Sequence, residues 1–322
     1  MVIRSIAPIA AALAVLAAPP AHPQAWPTQA VKIVVPFSPG TGMDILARTL
    51  GPKLSEMWGQ PVVVDNRPGA SGNLGANAVA KSPPDGYTLV MGASTLVINK
   101  TLYTNMLYDP ITDLEPIGLA ADASLLLVAN PKLGITTAKD LIAQAKAKPG
   151  TLMYASPGIA TPHHMAMELF KARAGVDIVH IPFSATGPAV AQLLGGEVPI
   201  MFLPVHVAIQ HVKAGKLVAL ATGGAERHPL APDVPTLAEL GLRNANTDIW
   251  YALWAPARTP AAIVNRIDAD MQKTLAMADV REALAKQGMQ VLTSTPAELR
   301  ALMDADVVRW AEVVKAAGIK AE

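Results

Sequence analysis

The chain has 322 residues, enough for one large domain or for two smaller domains that each bury a core. It contains no cysteine, which excludes disulfides, thiol nucleophiles and thiolate metal sites. Without Arg4, the only charged residue among the first 25, the 26 basic residues become 25 and balance 25 acidic ones, so neither nucleic acid nor an acidic membrane surface is the expected partner.

Residues 1–25 predict a secretory signal peptide. Arg4 gives a positive start, Ile6–Ala18 is an apolar run too short to span a bilayer, and small residues follow, with cleavage expected after Ala21 or Ala25. No later segment predicts a transmembrane helix. Exported proteins that fold without disulfides are common enough in a bacterial periplasm, so we expect a periplasmic protein that is not embedded in the membrane.

The stretch Val31–Trp58 predicts a strand, a glycine-bearing loop and a helix. Its β-branched start indicates a strand buried on both faces and ended by Pro36, and apolar residues recur at helical spacing from Met43 onward. The loop Ser38–Gly42 therefore leads into a helix N-terminus, whose unpaired N–H groups and positive dipole end suit an anion. Asp44, in the first turn, is interpreted either as a capping residue or as a ligand contact.

The same plan occurs a second time at Asp177–Pro188. A strand is followed by a second Pro-Phe-Ser sequence, by small residues and by a helix, with Pro188 predicted at its first position and Gly195 and Gly196 at its end. We therefore predict two lobes that each present a helix N-terminus to one shared cleft.

The chain between and after these stretches predicts two α/β lobes joined by a hinge. Strands at 60–65 and 87–91 with a helix at 76–81 complete a βαβαβ order, which implies a parallel sheet. Leu119–Asn130 and Ile249–Ala255 are predicted to cross between the lobes. Lobe 1 is then 26–125 plus 250–322, and lobe 2 is 126–249. Further helices are predicted at 138–147, 162–171, 205–214, 261–276, 279–287 and 296–316, and further strands at 152–156, 198–202 and 216–221.

Motifs of enzymes and cofactor sites are missing from the sequence. Gly40–Gly42 is no dinucleotide fingerprint, because Ile45 stands where its third glycine would be, and neither a phosphate-binding P-loop nor a G-x-S-x-G nucleophile elbow occurs. His163 and His164 would point apart on a helix, and His206 and His211 lie off the spacing of a zinc helix, so each histidine is assigned a surface or capping role. We expect no cofactor, no metal and no catalysis. Hinge or core packing, rather than ligand stacking, is predicted for Trp250, Tyr251 and Trp254.

Several long motifs resemble the Bug family, the periplasmic solute receptors of tripartite tricarboxylate transporters. They are Trp26-Pro27, Ile33–Arg48, Gly59–Asn73, Pro84–Leu89, Lys213–Leu217, Pro232–Thr236 and Ala317–Ile319. The resemblance covers essentially the whole chain after the signal segment. It implies a type II periplasmic-binding-protein fold whose two lobes close on a small carboxylate, and a membrane permease as the partner.

The resemblance also implies where a ligand lies. In the family the first-lobe loop and the matching second-lobe loop hold the carboxylate, and these are Ser38–Gly42 and Ser184–Pro188 here. Other stretches that line the cleft correspond to Ser71–Asn73, Ser94-Thr95 and Ser156–His164. The predicted ligand-binding residues are Phe37, Ser38, Pro39, Gly40, Thr41, Gly42, Asp44, Ser71, Asn73, Ser94, Thr95, Ser156, Ile159, Thr161, His164, Ser184, Ala185, Thr186, Gly187 and Pro188.

The sequence departs from the family pattern at a few positions. Ile159 replaces a polar amide, Met167 replaces a small residue, and Pro199 and Leu203 stand where an acidic pair is usual. These departures predict a less polar wall without a carboxylate for an ammonium group, which favours an aliphatic or aromatic carboxylate over an amino acid. An alternative is a ligand sensor that docks on a sensor kinase when closed, and an enzyme on the same fold is a third. We expect a monomer.

Overall fold

A computed structural model describes residues 26–103, 105–243, 245 and 247–319, so the predicted signal peptide lies outside the described residues. The strands are β1 (Val31–Val35), β2 (Val62–Asn66), β3 (Thr88–Ala93), β4 (Leu114–Ala123), β5 (Leu125–Ala129), β6 (Met153–Ser156), β7 (Val179–Pro182), β8 (Ile200–Pro204), β9 (Val218–Thr222), β10 (Ile249–Pro256) and β11 (Met289–Val291). The helices are α1 (Gly42–Trp58), α2 (Asn73–Ala80), α3 (Thr95–Leu102), α4 (Ala138–Ala147), α5 (Pro162–Ala174), α6 (Thr186–Gly195), α7 (Val205–Lys213), α8 (Ala261–Ala276), α9 (Ala278–Lys286) and α10 (Pro296–Ala317).

Two sheets form the centres of two α/β lobes. The first sheet has the strand order β11-β4-β10-β3-β1-β2, and the second has the order β7-β6-β8-β5-β9. β1 pairs in parallel with β2 and β3, which confirms the predicted βαβαβ unit, while β10 runs antiparallel to β3 and β4. The short edge strand β11 was not predicted from the sequence.

Both faces of each sheet are covered by helices, because successive side chains along a strand point to opposite faces. In β5, Leu125 and Leu127 belong to a core shared with α4 and α5, whereas Leu126 and Val128 pack with α6 and α7. In the first sheet, Val34 packs with α2 and α10, and its neighbours in β1 pack against α1. The continuous apolar run of β1 is therefore explained by burial on both sides.

The chain crosses between the sheets at places that differ from the prediction. Leu119–Asn130 is not one strand, because β4 ends in the first sheet at Ala123 and β5 begins in the second sheet at Leu125. The return crossing lies between Thr222 and Ile249, since β10 belongs wholly to the first sheet. Over the described range, no helix is long and apolar enough to cross a membrane.

Candidate ligand-binding cleft

A cleft of about 370 Å³ lies between the two lobes, a size suited to a small molecule. On the first lobe it is lined by Phe37, Ser38, Pro39, Gly40, Thr41, Gly42, Met43, Pro68, Gly69, Ala70, Ser71, Gly72, Ala93, Thr95, Ile249 and Tyr251. On the second lobe it is lined by Pro157, Thr161, Pro162, His163, Ser184, Ala185, Thr186, Gly187, Val190, Pro204, His206 and Val207. The two predicted loops therefore face one another across this cleft.

Five helices present their N-termini to the cleft. They begin after the carboxyl ends of β1, β3, β6, β7 and β8, and first-turn residues of α1, α3, α5, α6 and α7 line the wall. None of the five has a hydrogen bond from a capping side chain. Two helices away from the cleft, α4 and α10, begin instead with complete capping boxes at Thr137 and Thr295, although α8 and α9 also lack a side-chain cap.

The electrostatic character of the cleft follows from these helix ends. Among the described residues that line it, none is Asp, Glu, Lys or Arg. The positive ends of five helix dipoles therefore act in a largely apolar, partly enclosed space whose described lining carries no charged side chain. Such an arrangement favours an anion.

Asp44 is held beneath the first loop and does not line the cleft. Its carboxylate accepts hydrogen bonds from the Gly40 N–H (2.9 Å), from Arg48 Nε (2.9 Å) and from Asn66 Nδ2 (3.0 Å). Burial raises the pKa of Asp44, but these hydrogen bonds outweigh burial, so the pKa lies below its ordinary value. Asp44 therefore shapes the loop Ser38–Gly42 rather than touching a ligand.

We expect Asp44→Asn to destabilise the protein by about 2–3 kcal/mol, because a buried charged acceptor is lost and the Gly40 N–H or Arg48 then faces an amide NH₂. Urea unfolding would measure this change. The matched control is Asp65→Asn, since Asp65 forms a solvent-exposed pair with Arg67 whose loss should cost less than about 1 kcal/mol. Equal costs for the two variants would contradict the role of Asp44.

Hydroxyl groups of the cleft divide into two kinds. Thr41 and Thr161, at the N-caps of α1 and α5, donate to the carbonyl oxygens of Ser38 (3.0 Å) and Gly158 (2.8 Å), so their protons are already used. Thr161 is thus at the predicted cap position but makes no capping bond. The hydroxyls of Ser38, Ser184 and Thr186 have no hydrogen-bond partner in the part of the chain that the structure describes. These three remain able to donate to a carboxylate.

Besides Asp44, six of the predicted ligand-binding residues do not line the cleft. They are Asn73, Ser94, Ser156, Ile159, His164 and Pro188. Asn73 Oδ1 accepts a hydrogen bond from Asn99 Nδ2 (2.8 Å). Ser94 is the buried N-cap residue of α3. Pro188 is the third residue of α6 rather than the first, because the helix already begins at Thr186. It still lies in the first turn, where a missing N–H breaks no helical bond.

Ser156 and His164 support the loop between β6 and α5, which contains Ile159, from behind. The Ser156 hydroxyl donates to Gly158 O (2.9 Å), and His164 Nδ1 accepts from the Ala160 N–H (3.2 Å). Ile159 packs against a small core with Ile98 and Trp310, so it is not the apolar wall residue that the sequence suggested. Met167 and Leu203, two other positions at which the sequence departs from the family pattern, are likewise core residues. They do not line the cleft, so its described lining lacks acidic residues for reasons unrelated to these two substitutions.

One direct hydrogen bond joins the lobes beside the cleft. The Ser71 hydroxyl donates to Ile159 O at 2.8 Å. Ser71 and Ala160 both have positive φ, +53° and +65°, which a residue with a side chain adopts rarely and at a cost of order 1–3 kcal/mol. The two lobe-bridging loops are therefore held in unusual conformations at the point where they meet.

His163 and His164 do not have the surface or capping roles predicted for them, whereas His211 is partly exposed in the last turn of α7, as predicted. His164 is stacked on His180 with 4.0 Å between ring centroids, and His163 is only 9% exposed. His163 and the partly exposed His206 line the cleft, which the sequence analysis missed because it tested these residues only as metal ligands. Their places in the first turns of predicted helices were the signal that could have found them. Within the described ranges, no group of three or more His, Asp or Glu could hold a metal ion.

Two α/β lobes that enclose a cleft lined by uncapped helix N-termini define a periplasmic-binding-protein fold with an anion-binding cleft. A model of the family described as "Tripartite tricarboxylate transporter family receptor" matches residues 46–319, and the chain belongs to that family. It is 37% identical to Protein BugT of Bordetella pertussis over 94% of both chains.

Solved structures agree with this assignment. A Rhodopseudomonas palustris protein solved with adipate, Rpa4515, has a TM-score of 0.86 and 34% identity, covering 92% of this chain and 99% of that one. MatC of the same organism, solved with bound malate, has a TM-score of 0.83 and 31% identity, covering 90% of this chain and 100% of that one. The type II periplasmic-binding-protein fold expected from the sequence is confirmed.

Proposed function

We propose that this protein is a periplasmic receptor that binds a small carboxylate between its lobes and delivers it to the membrane permease of a tripartite tricarboxylate transporter. The observation that carries the proposal is the convergence of five uncapped helix N-termini on a cleft whose described lining residues include no charged side chain. Binding rather than catalysis fits such a cleft, because no Asp or Glu is among its described lining residues and burial lowers the pKa values of the lining His163 and His206 to about 3 and about 4, far from those of an efficient general acid or base at neutral pH.

Within the cleft, we assign the ligand carboxylate to the loops Ser38–Gly42 and Ser184–Gly187. The unpartnered hydroxyls of Ser38, Ser184 and Thr186 and the first-turn N–H groups of α1 and α6 are its donors. A lining without Asp or Glu offers nothing to an ammonium group, which supports an aliphatic or aromatic carboxylate over an amino acid. The adipate and malate bound to the two structural relatives are consistent with this ligand class.

A thermal-shift scan against dicarboxylates, tricarboxylates, aromatic acids, amino acids and sugars tests the proposal. A carboxylate at a hundred times its Kd should stabilise the protein by about 2.7 kcal/mol, which raises the Tm by several degrees. Sugars should give no shift. The absence of a shift from every acid would contradict the proposal, once mass spectrometry of the denatured protein has excluded a copurified ligand.

Replacing Ser38 or Thr186 by alanine should weaken the binding of that carboxylate by about 1.5–3 kcal/mol each, or roughly 10- to 150-fold, because a hydrogen bond to a charged group is lost. Isothermal titration would measure this. Ser55→Ala, in the helix α1 that follows the Ser38 loop, is the control, since the Ser55 hydroxyl donates to Gln60 O away from the cleft. If both cleft variants bound like the control, the assignment of the carboxylate to these loops would be wrong.

We also propose that the first lobe is 26–124 plus 249–322 and the second 125–248, one residue away at each crossing from the boundaries expected from the sequence, because β5 begins at Leu125 and β10 at Ile249. We further propose removal of residues 1–25 on export and a monomer in solution. The mass of the exported protein would identify the cleavage site, and light scattering would report its oligomeric state.

A further inference from the structure

Tyr251 differs from the other four tyrosines of the chain in the state of its hydroxyl. Each of those four bonds to a neighbouring side chain: Tyr87 to Thr28, Tyr103 to Ser71, Tyr108 to Asn73 and Tyr154 to Glu168. Tyr251 is only 2% exposed, yet its hydroxyl has no hydrogen-bond partner among the described residues. Buried tyrosine hydroxyls usually find a partner, so this one is available to a ligand.

The hydroxyl of Tyr251 is not sealed inside the protein. The indole nitrogen of Trp310 is an unpartnered polar atom that is fully enclosed, whereas the Tyr251 hydroxyl oxygen keeps exposed surface. Because Tyr251 lines the cleft between the lobes, that surface opens into the cleft.

Alternation along β10 directs Tyr251 toward the cleft. Trp250 and Trp254 point to the face of the sheet that α10 covers, where their indole nitrogens donate to Asp306 Oδ2 (2.7 Å) and Met303 Sδ (3.3 Å). Tyr251 points to the opposite face, which α1 covers. The two tryptophans therefore pack in the core, whereas Tyr251 packs in the core and also lines the cleft.

The hydroxyl of Tyr251 lies against the first residue of α1. A Cβ on Gly42 would overlap the hydroxyl, so the missing side chain allows this close approach. The first three N–H groups of α1 have no partner within the helix, since the first helical hydrogen bond runs from the Ile45 N–H to Thr41 O (2.9 Å). The phenol O–H and these N–H groups thus lie at the same end of the cleft.

The protonation state of Tyr251 makes it a donor. Burial, and also the negative charge of Asp122, raise the pKa of the Tyr251 hydroxyl above its ordinary value, so the phenol keeps its proton at neutral pH. A neutral O–H beside the positive end of a helix dipole favours an acceptor that carries negative charge. Because no Asp or Glu is among the described residues that line the cleft, a bound molecule must supply that acceptor.

We propose that Tyr251 is a further ligand-binding residue, whose hydroxyl donates a hydrogen bond to the carboxylate that lies at the N-terminus of α1. The inference rests on the proposed function, and it adds a donor from the sheet to the donors from the two loops. Gly42 and Tyr251 then act as one unit, in which the glycine admits the phenol to the carboxylate. Because the phenol contacts the carboxylate itself, it contributes to the binding of every acid that the cleft accepts.

Tyr251→Phe removes only the hydroxyl and tests the proposal by calorimetric titration. The probes are succinate, adipate, malate, citrate and benzoate, and the two that bind the wild-type protein most tightly are titrated. The variant should bind both about tenfold or more weakly, because it loses a hydrogen bond to a charged group that the two acids share. The two factors should be similar, whereas a change of packing would affect two acids of different shape unequally.

Tyr87→Phe is the matched control, because the Tyr87 hydroxyl bonds to Thr28 and does not line the cleft. This control should leave both affinities unchanged. Tyr251→Phe should keep or raise the Tm of the unliganded protein, since the hydroxyl that it removes has no partner to lose. Weakened binding at an undiminished Tm separates a ligand contact from a structural role.

The outcomes separate the two proposals. If Tyr251→Phe binds both acids as tightly as the wild-type protein, the assignment of Tyr251 is wrong and the receptor remains. A lowered Tm that accompanies the loss of affinity also overturns the assignment, because the hydroxyl then acts through the fold. Failure of all five acids to bind the wild-type protein, once a copurified ligand has been excluded, overturns both proposals.

Discussion

Gly42→Ala is expected to weaken carboxylate binding by about 2–3 kcal/mol, or roughly 30- to 160-fold, because an added methyl group cannot be accommodated without moving the helix end. A Cβ on Gly42 would lie 2.4 Å from the Tyr251 hydroxyl oxygen and 2.6 Å from Tyr251 Cζ. Tyr251 is only 2% exposed and lies in the central strand β10, so it has little room to retreat. The N-terminus of α1 must shift instead, and its first-turn N–H groups then no longer point into the cleft.

Calorimetric titration of Gly42→Ala with the acid that gives the largest thermal shift would measure this effect. Gly51→Ala is the matched control on the same helix, because its Cβ would meet nothing closer than 3.6 Å, and alanine favours the helix. Adding Tyr251→Leu to Gly42→Ala should recover part of the affinity by removing the clashing atoms. Wild-type affinity in Gly42→Ala, with the fold intact, would show that the close approach has no role in binding.

Acidification from pH 6.5 to 4 is expected to destabilise the protein steeply, because buried histidines must become charged on unfolding. Burial lowers the pKa of His163 to about 3 and that of His164 to about 4, below the ordinary value of 6.5. His206 lies beside His163, and His180, Lys171 and Glu168 surround His164 without restoring its pKa. Stability is therefore complete above pH 6.5 and is lost as the pH falls through the interval between the unfolded and folded pKa values.

Each of these two histidines should remove up to about 1.4 kcal/mol of unfolding free energy per pH unit, or roughly 3 kcal/mol per unit together. Asp122 opposes this trend, since burial and the nearby Asp248 raise its pKa to about 6, and between pH 6 and 4 it offsets about one histidine. The partly exposed His180 and His206 have lowered pKa values too, and they act in the same direction as the first pair.

Urea unfolding at half-unit pH steps would test the acid sensitivity. His163→Leu should reduce the slope by about 1.4 kcal/mol per pH unit, the contribution of one proton. Met165→Leu, a buried change of similar volume on the same helix, should leave the slope unaltered. An unfolding free energy that stays flat from pH 6.5 to 4.5 would mean that these histidines titrate normally in the folded protein.

Local sequence determined the elements and the loops that approach the cleft. Thr137 with Asp140 encodes a capping box, and Pro260 before an apolar periodic run predicts α8 at the residues where the structure has it. The apolar run of β1 ended by Pro36 predicts the strand, because a proline cannot continue it. These signals act over a few residues, so they need no knowledge of the fold.

The tertiary structure decided which side chains of those loops face the cleft. Asp44 and Thr41 are three residues apart, yet only Thr41 lines the cleft, since Arg48 and Asn66 hold the carboxylate of Asp44 behind the loop. His163 and His164 are neighbours, and about 100° of helical rotation sends one to the cleft and the other into a stack with His180. Sequence periodicity fixes such a rotation relative to the helix, but only the packing of α5 against the second sheet sets which face meets the ligand.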